Sequence, residues 1–267
     1  MRSLYRCLQN IPRTLCMRSM GTTAPAVSSE QDLSTEEKPL YGTVASHRSY
    51  IFLHSPIPPT KFSSRMTTPL QRALQLRASK WGGIVNFSWF EGGDRNADVS
   101  QEATAFSALG GRLELENLVL EDVDSVDAVL REHAAGLHPS RPHENTEIHL
   151  YVCTHGERDC RCGDMGGKVV SALKKEVKER GDSADRVRIG EVGHVGGHQY
   201  AANVLVFPQG EWLGRVTPET VPDLLTAVLA SPRRPFTPSE PPLLRDHWRG
   251  RTGLGEEEQV AFFESSR

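Results

Sequence analysis

The sequence predicts an α/β fold arranged as two successive α/β halves and a tail. Three observations carry this. Strand-like and helix-like segments in the second half follow the order β-α-β, then β-β-α, which suits a small sheet with helices on its faces. The first half reads as strand, helix, strand, then a strand and a helix. The halves also echo one another. Tyr50-Ile51-Phe52-Leu53-His54 is matched by Tyr151-Val152-Cys153-Thr154-His155, each at a strand end before a loop and a helix. Phe52 stands where Cys153 stands, the pattern of a repeat that has lost its site. A length of 267 residues accommodates one large domain or two small ones.

Residues 49–54 (SYIFLH) form an apolar, aromatic run that predicts a strand, and 57–65 (IPPTKFSSR) read as a loop. Leu70, Ala73, Leu74 and Leu76 predict a helix over 68–80 with Pro69 in its first turn, ended by Gly82-Gly83. IVNFSWF (84–90) reads as a buried strand, 91–101 as loop, 112–120 as a strand and 123–135 as a helix. The Pro-containing run 138–146 marks the break between halves. EIHLYVC (147–153) predicts a strand, followed by a loop, THGERDCRCGD. Val169, Val170, Leu173 and Val177 share one face of a helix over 166–180, which Gly181 stops. VRIGEV (187–192) is a strand, GHVGGH a loop, and 203–208 with 211–216 a hairpin about Gln209-Gly210. Thr217 and Pro218 start a helix over 218–230. The remaining 231–267 are Pro-rich, with Trp248, Phe262 and Phe263 placed to fold part of the tail back onto the body.

The expected organisation is therefore an address at 1–29, a linker at 30–46, a first domain at 47–140, a second at 146–230 and a tail at 231–267. Residues 1–29 carry Arg2, Arg6, Arg13 and Arg18 with no acid before Glu30, and Leu4, Leu8, Ile11 and Leu15 recur at helical spacing. This is the composition of a mitochondrial transit peptide, and it lacks the apolar core of a secretory signal. The net charge is −3, and it would fall to −7 without those four Arg. That balance excludes a basic nucleic-acid-binding surface by composition. No apolar run approaches the ~18 residues of a membrane span. Five cysteines are too few for a disulfide scaffold, and in a reducing matrix the three in the body point to metal or redox chemistry.

Those three are Cys153, Cys160 and Cys162. Cys153-x8-Cys162 and His194-x3-His198 each lie in a loop after a strand. If the two strands are parallel neighbours, both loops leave the same end of the sheet. Two thiolates and two imidazoles then converge, a set suited to zinc or an iron–sulfur cluster. Zinc-finger spacing, with close Cys pairs and His about a dozen residues on, is absent. Gly193, Gly196 and Gly197 around the His pair, and Gly156 and Gly163 beside the Cys pair, let backbone approach a bulky inorganic core. Cys160 could replace Cys162 as a ligand or act as a free thiol between Arg158 and Arg161, but it reads best as a bystander. Gly167-Lys168 lacks the rest of a phosphate loop, and no GxSxG or HExxH occurs.

The strings YVCTHGERDCRCGDMG (151–166), GHVGGHQYAANVLVFPQGEWLGRVTP (193–218) and HWRGRTGLGEEEQ (247–259) resemble the sucrase/ferredoxin-like family. The Arg-rich start is similar to its altered-inheritance-of-mitochondria branch. The resemblance implies two thioredoxin-like α/β domains, the second a thioredoxin-like ferredoxin and the first degenerate. It also implies a [2Fe-2S] cluster on Cys153, Cys162, His194 and His198, with Cys160 not a ligand. Bacterial thioredoxin-like ferredoxins have a C-x3-C where this chain has His194 and His198. Two neutral imidazoles in place of thiolates would raise the reduction potential and admit a proton to the redox step. The implied function is single-electron transfer to redox partner proteins in the mitochondrial matrix or intermembrane space. Two alternatives stand beside it: a thiol redox or quality-control protein acting on partner cysteines, and a structural zinc module.

Overall fold

Alternation along each central strand sends successive side chains into two different cores. In β1 (Ser49–His54), Ile51 and Leu53 point to one face, and Tyr50 and Phe52 to the other. In β5 (Ile148–Cys153), Ile148, Leu150 and Val152 face one core, and Tyr151 and Cys153 another. Both strands are buried along their whole length, as expected for strands covered on both faces. A computed structural model describes residues 39–92, 101–137 and 147–266. The predicted address at 1–29, most of the predicted linker and the predicted break at 138–146 lie outside the described residues.

The first half runs β1, α1 (Pro69–Ala78), β2 (Gly83–Trp89), β3 (Gln101–Ser107), β4 (Gly111–Leu118) and α2 (Val123–Ala134). The second runs β5, α3 (Cys160–Arg180), β6 (Val187–Val192), β7 (Val204–Phe207), β8 (Glu211–Leu213) and α4 (Val221–Ala230). In each half the first strand pairs parallel with the second and antiparallel with the third, and the third pairs antiparallel with the fourth. The two halves thus share one thioredoxin-like βαβββα topology. The five-residue echo starts on equivalent strands, β1 and β5, although Thr154 and His155 lie beyond the end of β5, and the parallel βαβ units place helices on the outer faces.

The halves join in one sheet, ordered β4-β3-β1-β2-β6-β5-β7-β8-β9. They meet where Ser88 and Trp89 of β2 pair antiparallel with Val192 and Glu191 of β6. Beyond that short seam their inner faces pack on each other. Phe52 stacks on Tyr151 with centroids 4.0 Å apart, and Phe106 on Phe207 at 4.4 Å. Four layers result, α1 and α2, the first half-sheet, the second half-sheet, and α3 and α4, with an aromatic core between the two half-sheets.

Several elements differ from the sequence reading. Strand β3 was missed because QEATAFS lacks the β-branched run that marks a strand, yet it pairs on both edges. Helix α3 begins at Cys160, six residues earlier than expected. The Asp159 side chain caps it by accepting from the Arg161 N–H at 3.1 Å. The tail supplies β9 (Trp248–Arg251), which pairs with β8, and α5 (Glu256–Ser265), whose Phe262 and Phe263 pack with buried Trp248. Residues 39–46, expected as linker, pack on the body: Val44 is buried, and Tyr41 stacks on Phe263 at 4.2 Å. Among the described residues no helix is long and apolar enough to cross a membrane.

Candidate metal centre

Parallel pairing of β5 and β6 sets Cys153 directly opposite Val192. The chain leaving β6 therefore carries His194 past the end of β5, where Cys153 is the last residue. Cys162 lies in the first turn of α3, which packs back over β5. Close approach of helix and strand depends on glycine. A Cβ at Gly166 would collide with the Cys153 carbonyl, and one at Gly163 would come within 2.8 Å of the Gly156 backbone.

The donor atoms of Cys153, Cys162 and His194 lie within 4.8 Å of one another. Both thiols are buried, and Cys162 Sγ is 3.7 Å from His194 Nδ1. None of Cys153, Cys160 and Cys162 is in a disulfide. The buried thiols share a proton unequally. Cys162 donates toward Cys153, holding Cys153 below the ordinary thiol range, and backbone N–H groups of Val195 and His155 add to this. The same hydrogen bond, with burial, pushes Cys162 up. Cys153 is thus the readier of the two to ionise, and a cation arriving at the site would displace the thiol protons.

His198 lies beside this group. Its ring stacks against that of His194 at 5.7 Å, its side chain is 47% exposed, and Nδ1 is 3.8 Å from Asp159 Oδ2. Chemically the site has a buried sulfur side and a half-exposed imidazole side. Soft thiolates and borderline imidazoles in that arrangement suit zinc or an iron–sulfur core, and an all-oxygen ion such as calcium is a poor match.

Residues that sequence reasoning passed over hold the loops in place. Asn86 of β2 donates to Tyr50 Oη at 2.9 Å and to the Gly193 carbonyl at 3.2 Å, so the first half positions the His194 loop. A Cβ on Gly193 would come within 2.5 Å of Asn86 Oδ1, which assigns that glycine to packing on Asn86. His155 Nδ1 accepts from the His194 N–H at 3.3 Å while Nε2 donates to the Ser63 carbonyl at 2.9 Å. That pair of bonds fixes a neutral ring with its proton on Nε2. The spacing of THG-x5-C was visible in the sequence, but nothing in it distinguished His155 from an exposed loop histidine. Cys160 is exposed, and the Arg161 guanidinium that could favour its thiolate is bound at both ends to Asp159, 2.9 Å to each oxygen. That bond holds the Asp159 carboxyl down at about 2.

Known proteins bear on this arrangement. The chain is 44% identical over 77 residues to altered inheritance of mitochondria protein 32 of Debaryomyces hansenii, covering 27% of each chain. Its namesake in Meyerozyma guilliermondii is 35% identical over 108 residues, covering 39% of this chain and 35% of that one. Actin patches distal protein 1 of Saccharomyces cerevisiae is 31% identical over 135 residues, 46% of this chain and 42% of that one. The matched region is thus less than half the length of each of these relatives. A thioredoxin-like [2Fe-2S] ferredoxin from Aquifex aeolicus is 20% identical with a TM-score of 0.26, covering 32% of this chain and 81% of that structure. The sucrase/ferredoxin-like family matches residues 40–250, which take in both half-sheets, the Cys pair and the His pair. A match over that much of its length makes the chain a member of the sucrase/ferredoxin-like family.

Proposed function

We propose that Cys153, Cys162, His194 and His198 hold a [2Fe-2S] cluster and that the protein carries single electrons between redox partner proteins in the mitochondrion. The observation that carries this is the grouping of two buried thiols with the His194 imidazole, and with His198 alongside. Such a cluster would supply one-electron reduction and reoxidation. The residues of this chain decide where and at what potential. Cys153 and Cys162 anchor the buried side, and amide N–H groups aimed at Cys153 stabilise negative charge on sulfur. His198, half exposed, supplies the edge a partner can approach. Two neutral imidazoles leave the site less negative than four thiolates would, which favours taking up an electron. The ring N–H remaining on each imidazole can be given up to solvent, which would couple the electron to a proton.

Support for the mitochondrial placement comes from the Arg-rich residues 1–29 and from the names of the fungal relatives. Deleting residues 1–29 should abolish import into isolated mitochondria. The site is tested by spectroelectrochemistry on chain purified without oxygen. Wild type should show a cluster spectrum, and His194→Cys and His198→Cys should each keep a cluster with a lower potential. Variants that keep the wild-type spectrum and potential would exclude the two imidazoles as ligands. A wild-type potential flat from about pH 6 to 9 would remove the proton coupling alone.

A further inference from the structure

Strand β9 buries two arginines, Arg249 and Arg251, each 2% exposed. Their surroundings differ. Arg251 Nε is 2.5 Å from Glu211 Oε1, a fully buried ion pair. The Arg249 guanidinium donates to Thr43 Oγ1 at 3.0 Å, the Thr43 carbonyl at 2.9 Å, Asn203 Oδ1 at 2.8 Å and the Gly196 carbonyl at 3.5 Å. All four acceptors are neutral, and among the described residues no carboxylate reaches it. It also lies 5.0 Å from the centre of the Tyr200 ring.

A buried cation without an anion costs several kcal/mol, so folds rarely keep one unless a charge elsewhere compensates. This fold makes room for it. A Cβ on Gly197, inside the His194-x3-His198 loop, would collide with the guanidinium, and one on Gly214 would come within 2.7 Å of Arg249 Cδ. Both glycines leave space that Arg249 fills. Burial lowers its ordinarily very high pKa to about 10, opposed by Tyr200 and by Cys153, so the group stays charged at neutral pH. Cys153 is the one member of the metal-binding group whose charge is felt there.

We propose that Arg249 is the built-in counter-charge of the metal centre, a fixed cation that compensates its thiolates and raises the reduction potential of the cluster. The inference rests on the cluster reading above. Reduction adds negative charge to the site. A fixed positive charge nearby makes that addition more favourable, and the effect is larger in a dry interior than in water. Arg249 touches neither thiol nor imidazole ligand and acts through its field and through its hold on the Gly196 carbonyl. It is therefore a positioning and tuning residue.

Three variants of the full chain, purified without oxygen, separate field from scaffold. Potentials are read by spectroelectrochemistry and loading by iron content. Arg249→Gln should make reduction at least tenfold less favourable, which for one electron is about 59 mV downward. Arg249→Lys, which keeps the charge, should recover most of that shift. Asn203→Asp places a carboxylate against the guanidinium without removing it and should lower the potential in the same direction. A loaded Arg249→Gln variant at the wild-type potential would overturn the proposal. If Arg249→Gln fails to hold iron, Asn203→Asp decides: an unchanged potential there would show Arg249 to be scaffold only. A wild-type chain without iron and sulfide would sink the cluster reading and this inference with it, whereas a loaded wild type with insensitive variants would sink this inference alone.

Discussion

Replacing Glu211 with Ala should destabilise the fold by about 3–5 kcal/mol, the cost of leaving a buried partner charge unpaired. Glu211 is fully buried, Oε1 holds Arg251 at 2.5 Å, and Oε2 accepts the Leu243 N–H at 2.9 Å. Burial pushes its carboxyl up, against the pull of Arg251. Arg251 also donates to the carbonyls of Thr237, Glu240 and Pro241, so the pair pins the Pro-rich segment to β8 and β9. For a unit of this size each kcal/mol moves the melting point by about 2–4 °C, which gives a drop of roughly 6–20 °C. Urea denaturation followed by circular dichroism reads the free energy. The paired variant Glu211→Leu/Arg251→Met should regain part of the loss, because it removes both charges together but leaves the Leu243 N–H and the Thr237, Glu240 and Pro241 carbonyls without these partners. A loss below about 1 kcal/mol in Glu211→Ala, or a double variant no better than the single, would refute the uncompensated-charge reasoning for β9.

Other outcomes follow from the same contacts. His47 is buried between the Ala45 carbonyl at 2.9 Å and Thr252 Oγ1 at 3.1 Å, and burial lowers it to about 4. Between about pH 6.5 and 4 the unfolded chain binds the proton that the folded chain refuses. His47 therefore contributes a fall in stability of roughly 3 kcal/mol as pH drops through that window, beside buried His149 and His155, which are lowered too. His47→Gln should flatten that slope in acid denaturation, and an unchanged slope would assign it to other groups. Gly166→Ala drives a Cβ into the Cys153 carbonyl, a side-chain carbon against fixed backbone. It should cost about 2 kcal/mol or more and reduce metal loading, and wild-type stability would contradict the close helix–strand approach. Cys160→Ser should leave iron content unchanged, since Cys160 is exposed while Cys153 and Cys162 are buried together. Loss of iron in that variant would make Cys160 a ligand.

Much of the fold was legible because periodicity reports burial directly. The doubly buried strands β1 and β5 and the apolar face of α3 are plain in the chain, and the repeat left only a faint trace in the three similar places shared by Tyr50–His54 and Tyr151–His155. Strand β3 escaped because Gln101, Glu102 and two alanines carry little strand signal, and its register comes from pairing with β1 and β4. The start of α3 escaped because glycines at 163, 166 and 167 imitate a loop, while Gly166 lets the helix lie close to Cys153 of β5 and Gly163 lets it lie close to Gly156. Cys153, Cys162 and His194 were legible as a group from two post-strand loops, because parallel neighbours release their loops at one end. The support around them was not. Asn86, His155 and Arg249 act across long separations in the chain, and tertiary contacts of that kind leave no local pattern. The face-to-face packing of the half-sheets was equally hidden, since Phe52 and Phe106 read as ordinary core residues of one strand each.

The central claim is that two cysteines and two histidines complete an iron–sulfur site in the second half. Iron, zinc and acid-labile sulfide per chain, measured on protein purified without oxygen, test it most directly. The account predicts about two iron and two sulfide per chain, lost together in Cys153→Ser, with no stoichiometric zinc. Zinc alone at about one per chain, without sulfide, would contradict it and make the centre structural.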